Sequence, residues 1–294
     1  HSYNAKHSEA QIISCNPNAS NGQCLDQSDW NQLAASIQES KAIRLPAGGF
    51  HPFSVTFGSE DKPVYVFFDS VPDLWGNNPP NIEVFGAVIF RNGTNTRGIN
   101  LTVHGDVLVN GNYSPYSSHT INIHKRNGSG GNFYVLGDFT PANNPALYVE
   151  GNFYADKVKF NVSSNINVRG KLIVENELEF SNSMSRFETG QDLLIGSYKS
   201  CCHNHLVSGG DILVQGDIER SRNSLSMTAG GHIAVGGSVS FTSGWEHPIT
   251  VNFGSGSTSL IIEAPEEEDP DEPGPTPSPP AGGGGGSWNP VRQT

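Results

Sequence analysis

The sequence has few charged residues and no long apolar run. Charged residues make up only 16% of the 294 positions, whereas long amphipathic helices need many Leu, Ala, Glu and Lys residues. No run of about 18 or more apolar residues occurs, so no membrane-spanning helix is expected. Zinc-protease, P-loop and nucleophile-elbow motifs are also missing. These absences argue against a mainly helical protein and against the common motif-bearing enzymes.

Turn-forming residues are abundant instead. The chain contains 34 Gly and 19 Pro, together with many Asn, Ser and Thr residues, a composition typical of short strands joined by turns. The formal net charge is −12, and a cluster of acidic residues lies between Glu263 and Glu272. Because an acidic chain repels nucleic-acid phosphates at long range, DNA binding would need a local basic patch. The totals therefore predict an all-β protein.

The four cysteines favour disulfides in an oxidising compartment. Cys15 and Cys24 flank a Pro-, Asn- and Gly-rich loop and are expected to form a local disulfide. Cys201 and Cys202 are adjacent, so they form a vicinal disulfide or cross-link elsewhere. With His203 and His205 they could also bind zinc or copper, but neighbouring strand side chains point to opposite faces, and no metal site is predicted. An extracellular protein is expected, and its opening at His1 suggests that an export signal has been removed.

Three regions follow one another along the chain. Residues 1–58 are predicted to form an N-terminal segment with one helix over about 27–40, since Asp26 is an N-cap candidate and Trp30, Leu33 and Ile37 recur at helical spacing. Residues 59–262 are predicted to form the main β domain. Residues 263–294 form an extended acidic, Pro- and Gly-rich tail, which we expect either to serve as a linker or to dock on a neighbouring copy.

A repeated unit predicts the fold of the main domain. It consists of two alternating aliphatic residues, a glycine, a small polar residue and two more alternating aliphatics, as in LTVHGDVLV and LYVEGNF. Repeats of roughly 20 residues that bury their apolar faces only when stacked favour a parallel β-solenoid over an antiparallel sandwich. The glycine and polar positions are the expected corners of this β-helix: Gly105, Asp106, Gly137, Asp138, Gly151, Asn152, Gly170, Gly216, Asp217 and Gly237.

Candidate functional residues are basic and aromatic. A possible ligand face consists of Lys125, Arg126, Lys157, Lys159, Arg169 and Lys171. Tyrosines that could stack on bases or sugar rings are Tyr113, Tyr116, Tyr134 and Tyr154. Paired carboxylates on a solenoid face would suit a polysaccharide-cleaving enzyme, but Asp106, Asp138 and Asp217 occupy the same slot of the repeat and are better explained as corners. We therefore predict no catalytic residue, no cofactor and no enzymatic activity.

The segments KPVYVFFD, VFGAVIF and NLTVHGDVLVNGN, with the later Gly-Asp/Asn units, resemble PilX-like and large minor type IV pilin-type pilus-assembly proteins. The same units are similar to the repeats of bactofilins, which polymerise end to end through their solenoids. The resemblance covers about residues 60–262 and implies a surface filament component, although the chain opens with HSYNAKHSEA where a mature pilin has a long apolar helix.

Three functions follow from these observations. The first is an extracellular structural protein of a surface pilus or filament, whose partners are other copies of itself or other pilus subunits. The second is a pilus-tip adhesin or receptor that binds glycan or DNA on a solenoid face. The third and weakest is a polysaccharide-active β-helix enzyme. Fibre formation, salt-sensitive DNA retention and paired carboxylates in a groove distinguish them.

Overall fold

The fold is a parallel β-solenoid of about eight turns, as the repeats predicted. The computed structural model describes residues 2–19, 24–37, 41–45, 54–68, 80–91, 99–116, 119–142, 145–161, 165–181, 187–201, 204–220, 225–241, 249–253 and 260–262. From Ile82 onward, residues paired on neighbouring turns are 19 to 26 positions apart along the chain. Each turn of the solenoid, called a rung below, therefore corresponds to one copy of the sequence unit.

Each complete rung has three faces. Face 1 contains β3 (Val55–Phe57), the start of β5 (Asn81–Phe90), β6 (Asn100–His104), β8 (Thr120–His124), β10 (Ala146–Val149), β12 (Asn165–Val168), β14 (Phe187–Thr189), β16 (Asn204–Ser208), β19 (Leu225–Ala229) and β22 (Ile249–Phe253). Face 2 contains β1 (Gln11–Ile12), β2 (Ala42–Leu45), β4 (Val64–Phe68), the end of β5, β7 (Val107–Val109), β17 (Ile212–Val214) and β20 (Ile233–Val235). Four long strands bend from face 2 into face 3: β9 (Phe133–Phe139), β11 (Phe153–Phe160), β13 (Leu172–Phe180) and β15 (Leu193–Ser200). Face 3 continues in β18 (Ile218–Arg220) and β21 (Val239–Phe241).

Alternation along most strands builds the main core of the solenoid. In β6, Leu101 and Val103 are buried while their neighbours face outward, the two-residue period expected of a strand with one buried face. Parallel register then stacks equivalent residues of successive rungs. Phe133 lies 4.9 Å from Phe153, measured between ring centroids, and Phe160 lies 5.0 Å from Phe180. Burial is therefore repeated from rung to rung, which is the source of solenoid stability.

The corner residues of the sequence unit occupy two separate bends rather than one. Gly105, Asp106, Gly151, Asn152 and Gly170 lie at the first corner, between faces 1 and 2. The second bend, between faces 2 and 3, holds the other five: Gly137, Asp138, Gly216, Asp217 and Gly237. Asp138 and Asp217 share the second bend, but Asp106 lies at the first corner, so the expectation that all three share one slot is wrong. The two bends look alike in sequence because each connects two alternating strands.

A ladder of side-chain oxygens joins successive rungs at the first corner. Asp106 Oδ1 accepts a hydrogen bond from the backbone N–H of Asn132 at 3.0 Å, and Asn132 Oδ1 accepts one from Asn152 at 2.9 Å. Asn152 Oδ1 in turn accepts from the N–H of Lys171 at 2.9 Å. Lysine has no acceptor, so the ladder stops there and begins again with Asp192, which accepts from the next rung. These bonds give acceptors to corner N–H groups that strand pairing alone would leave without a hydrogen bond.

Glycine is required at the first corner because the rungs approach each other closely there. Gly105 has a φ of 144°, and a Cβ at this position would lie 1.6 Å from the carbonyl oxygen of Gly86. Gly170 has no positive φ, but a Cβ there would lie 2.3 Å from the oxygen of Gly151. The Gly-Asp and Gly-Asn pairs therefore combine close approach with an acceptor side chain.

Two helices precede the solenoid. Helix α2 (Gln27–Ser36) confirms the predicted helix and its N-cap, because Asp26 and Asp29 form a capping box; residues 38–40 lie outside the described residues. Its Trp30 is completely buried and packs edge-on against Phe57 with ring centroids 5.7 Å apart. Helix α2 therefore caps the N-terminal end of the core, and a disulfide joins Cys15 to Cys24 as predicted.

Helix α1 (Ser2–Glu9) was not predicted, since its sequence SYNAKHSE has no apolar periodicity. His7 of this helix lies against Phe67 of β4, with ring centroids 5.1 Å apart. Parallel pairing already begins with β1 and β2, so solenoid structure extends into the region assigned to the N-terminal segment. At the other end β22 pairs with β23 (Leu260–Ile262) in antiparallel fashion. The acidic tail, residues 263–294, lies outside the described residues.

Candidate ligand-binding groove

The six predicted basic residues do not share one face. Lys157 and Lys159 point outward from face 3, where their Nζ atoms lie 2.7 Å and 3.0 Å from carboxylate oxygens of Glu177 and Glu179. The hydrogen bond to Glu177 raises the pKa of Lys157. Further along the same face, Lys199 pairs with Glu219 at 3.6 Å. Face 3 therefore carries ion pairs between rungs, called the charge ladder below, rather than a positive stripe.

Two more of the six residues are engaged elsewhere. Lys171 Nζ lies 2.8 Å from Asp192 Oδ2, and this contact raises the pKa of the lysine and lowers the pKa of the aspartate. Arg126 begins a tight turn that ends at Ser129, and its Nη1 donates to the backbone oxygen of Glu60 at 3.1 Å. These two cations therefore hold neighbouring rungs or loops together.

Lys125 and Arg169 remain exposed and line a groove beside the first corner. The groove has a volume of about 450 Å³, and its other lining residues are Gly130, Asn132, Tyr148, Glu150, Gly151, Asn152, Gly170 and Gln191. Lys125 follows β8, Glu150 follows β10 and Arg169 follows β12, three successive strands of face 1. Adjacent strands are about 4.8 Å apart, so the two cations are about 10 Å apart along the solenoid.

Tyr148 forms the aromatic wall of this groove. It points outward because Leu147 and Val149 on either side of it are buried. Its ring lies 5.3 Å from that of His124. His124 continues a row of stacked rings on face 1: its centroid is 5.5 Å from that of His104, which is 4.2 Å from Phe85. One end of an aromatic row therefore opens directly into a polar groove.

Glu150 is held by its neighbours on the adjacent rung. Its Oε2 accepts the backbone N–H of Lys125 at 2.8 Å and lies 3.7 Å from His124 Nδ1. A similar contact occurs two rungs earlier, where Glu83 Oε1 lies 2.9 Å from His104 Nε2. The carboxylate thus fixes the end of β8 and the position of Lys125. It is the one carboxylate among the described residues that line this groove, so the groove shows no acid–base pair of the kind that glycosidases use.

Three of the predicted tyrosines do not line the groove. Tyr113 is completely buried and donates its hydroxyl hydrogen to His119 in the core, so it cannot stack on a ligand. Tyr134 and Tyr154 stack on each other on face 2, with ring centroids 4.9 Å apart. Tyr148 was not predicted as a site residue, although the alternation in LYVEG places its ring outward.

The second cysteine cluster is only partly described. Cys201 is disulfide-bonded, while Cys202 and His203 lie outside the described residues. His205 Nε2 lies 3.0 Å from Thr228 Oγ1. The described residues contain no group of three or more His, Cys, Asp or Glu side chains placed to hold a metal ion. None of the described helices has the length and apolar character needed to cross a membrane.

Comparisons of the chain with protein-family models, with curated proteins and with solved structures find no significant match.

Proposed function

We propose that the protein is an exported cell-surface β-solenoid that binds a glycan in the groove around Tyr148. The observation that carries this proposal is an outward-facing tyrosine ring set between two exposed cations, Lys125 and Arg169. Sugar rings pack their apolar faces on aromatic side chains, while charged and amide groups beside the ring bind hydroxyls and substituents. Lectin-like binding needs these elements and no catalytic pair.

A glycan suits the groove better than a nucleic acid. DNA binding draws most of its affinity from many phosphate contacts, and the groove offers two cations on a chain whose net charge is −12. Three other basic residues, Lys157, Lys159 and Lys171, already pair with carboxylates. Long-range repulsion and the small number of available cations therefore both act against DNA.

The proposal favours an adhesin or receptor over a filament that grows by end-to-end stacking. Stacking needs an open rung at each end of the solenoid, whereas α2 covers the N-terminal end and buries Trp30 there. A capped solenoid serves better as a rigid carrier that presents a side face. Placement at the cell surface or on a pilus tip is consistent with the disulfide between Cys15 and Cys24.

The test is binding of the purified protein to a glycan array, followed by calorimetry with the best ligand. Tyr148→Ala should weaken binding at least about tenfold, since aromatic stacking accounts for one to a few kcal/mol of affinity. Tyr65→Ala removes a half-buried tyrosine of β4 that does not line the groove and is the matched control, so its affinity should stay at the wild-type value. Failure to bind any glycan, or equal affinities for the wild type and Tyr148→Ala, would refute the proposal.

A further inference from the structure

We infer that the ligand of this groove is an acidic glycan, whose sugar carboxylates bind Lys125 and Arg169 while a sugar ring packs on Tyr148. The inference rests on the proposed function and specifies its ligand class. Lys125 and Arg169 have no ion-pair partner among the residues that the structure describes, whereas Lys157, Lys159 and Lys171 each have one. Two exposed cations on one groove, neither paired with a carboxylate of the described residues, favour an anionic ligand.

The local charge of the groove is opposite to that of the whole protein. Two cations and the single carboxylate of Glu150 leave the described lining with a formal charge of +1, against −12 for the chain. Glu150 is turned toward the backbone N–H of Lys125 and the ring of His124. The Oε2 atom of Glu150 is therefore already engaged within the chain.

The remaining polar groups of the groove include amide donors. Asn132 and Asn152 each use Oδ1 to accept a backbone N–H group of the next rung, and their amide N–H groups are donors that a ligand can use. Asn152 Nδ2 already donates to Tyr154 at 3.3 Å, and an amide has a second hydrogen. Donors of this kind, next to a guanidinium that binds carboxylates in bidentate fashion, fit a ligand rich in acceptor oxygens.

The rung geometry also sets the placement of the ligand. Lys125 and Arg169 are about 10 Å apart along the solenoid, and Tyr148 lies on the rung between them. Gly151 and Gly170 form the floor, where a Cβ would collide with the preceding rung. A chain of sugars can therefore run along the solenoid axis, with one ring over Tyr148 and charged substituents reaching both cations.

The test compares acidic oligosaccharides with forms that differ only in charge. Calorimetry would use oligogalacturonate and oligoalginate, the methyl esters of both, and a single-stranded DNA oligomer. We expect each wild-type acid to bind at least about tenfold more tightly than its ester, with affinity falling as salt rises. Lys125→Gln and Arg169→Gln should each weaken acid binding about tenfold and leave ester binding nearly unchanged. Lys157→Gln makes the same charge change on face 3 and should match the wild type.

The outcomes separate the two proposals. Equal affinity for acids and esters, with binding still lost in Tyr148→Ala, would overturn the acidic ligand and leave the glycan groove standing. Binding of neither form, with no neutral glycan bound on the array, would overturn both proposals. Binding of the DNA oligomer alone would overturn both as well, in favour of a nucleic-acid receptor. Circular dichroism and the melting temperature of every variant confirm that a lost affinity is not lost folding.

Discussion

The buried histidine in the core makes the stability of the solenoid depend on pH. His119 is 1% exposed; its Nδ1 lies 2.8 Å from the backbone oxygen of Ile99, and its Nε2 lies 2.7 Å from the hydroxyl of Tyr113. A carbonyl oxygen can only accept, so Nδ1 carries the hydrogen of the neutral ring and Nε2 accepts from Tyr113. Burial lowers the pKa of His119 from 6.5 to about 4, although the bond to Ile99 acts in the opposite direction.

The direction of the effect follows from proton linkage. The unfolded chain takes up a proton at His119 near pH 6.5 and the folded chain only near pH 4, so the stabilisation is complete above pH 6.5 and is lost as the pH falls toward 4. A pKa difference of about 2.5, at about 1.4 kcal/mol for each pH unit, corresponds to a full loss of roughly 3.5 kcal/mol, of which about 3 kcal/mol is reached by pH 4.

The assay is urea unfolding followed by tryptophan fluorescence between pH 7.5 and pH 4, for the wild type and His119→Gln. Glutamine can donate to Ile99 and accept from Tyr113 but does not titrate in this range. Exposed carboxylates contribute equally to both proteins, so the difference between the two curves isolates His119. We expect the wild type to lose about 3 kcal/mol more than the variant between pH 6.5 and pH 4. Two parallel curves would refute the argument.

Three other predictions concern the cap, the corner and the charge ladder. Trp30→Ala should lower the free energy of unfolding by about 3–5 kcal/mol, because a fully buried ring leaves a cavity against Phe57; a change under about 1 kcal/mol would show that α2 does not cap the core. Gly170→Ala should lower the melting temperature more than Gly216→Ala, because the nearest atoms to the added Cβ are 2.3 Å and 2.9 Å away, respectively; equal shifts would contradict the close-approach argument. Lys159→Glu should destabilise face 3, and adding Glu179→Lys should restore about 0.5 kcal/mol, as double-mutant unfolding can measure; no recovery would mean that the pair is not coupled.

The architecture could be predicted because the same physical requirement recurs in every rung. Every rung needs alternating apolar residues and a glycine at its corner, so this pattern recurs in the sequence, as in LTVHGDV and LYVEGNF. The α2 helix was equally visible, since its cap and apolar spacing are local. Helix α1 could not be found this way, because a polar octapeptide gains its structure from the surface of β4 rather than from its own pattern.

The candidate site was harder to predict because it depends on which rungs and faces meet. Lys125, Lys157 and Arg169 are similar residues in the sequence. Only the strand register shows that Glu177 lies beside Lys157. In the described part of the chain no carboxylate pairs with Lys125 or Arg169. The two bends are also indistinguishable by composition. Asp106 and Asp138 therefore appeared equivalent until strand pairing placed them at different corners.

The side-chain ladder at the first corner makes the rung a unit of insertion and deletion. The link from Asn132 to Asn152 and the link from Asn152 to Lys171 have the same form, and the second spans 19 residues. Removing or duplicating the rung between these asparagines would therefore reconnect an acceptor to an equivalent N–H group. The groove spans four rungs, from β8 to β14, so rungs beyond it can vary in number. Each added or removed rung would change the distance from the groove to the last rung by about 4.8 Å. Evolution can therefore adjust this distance only in steps of one rung.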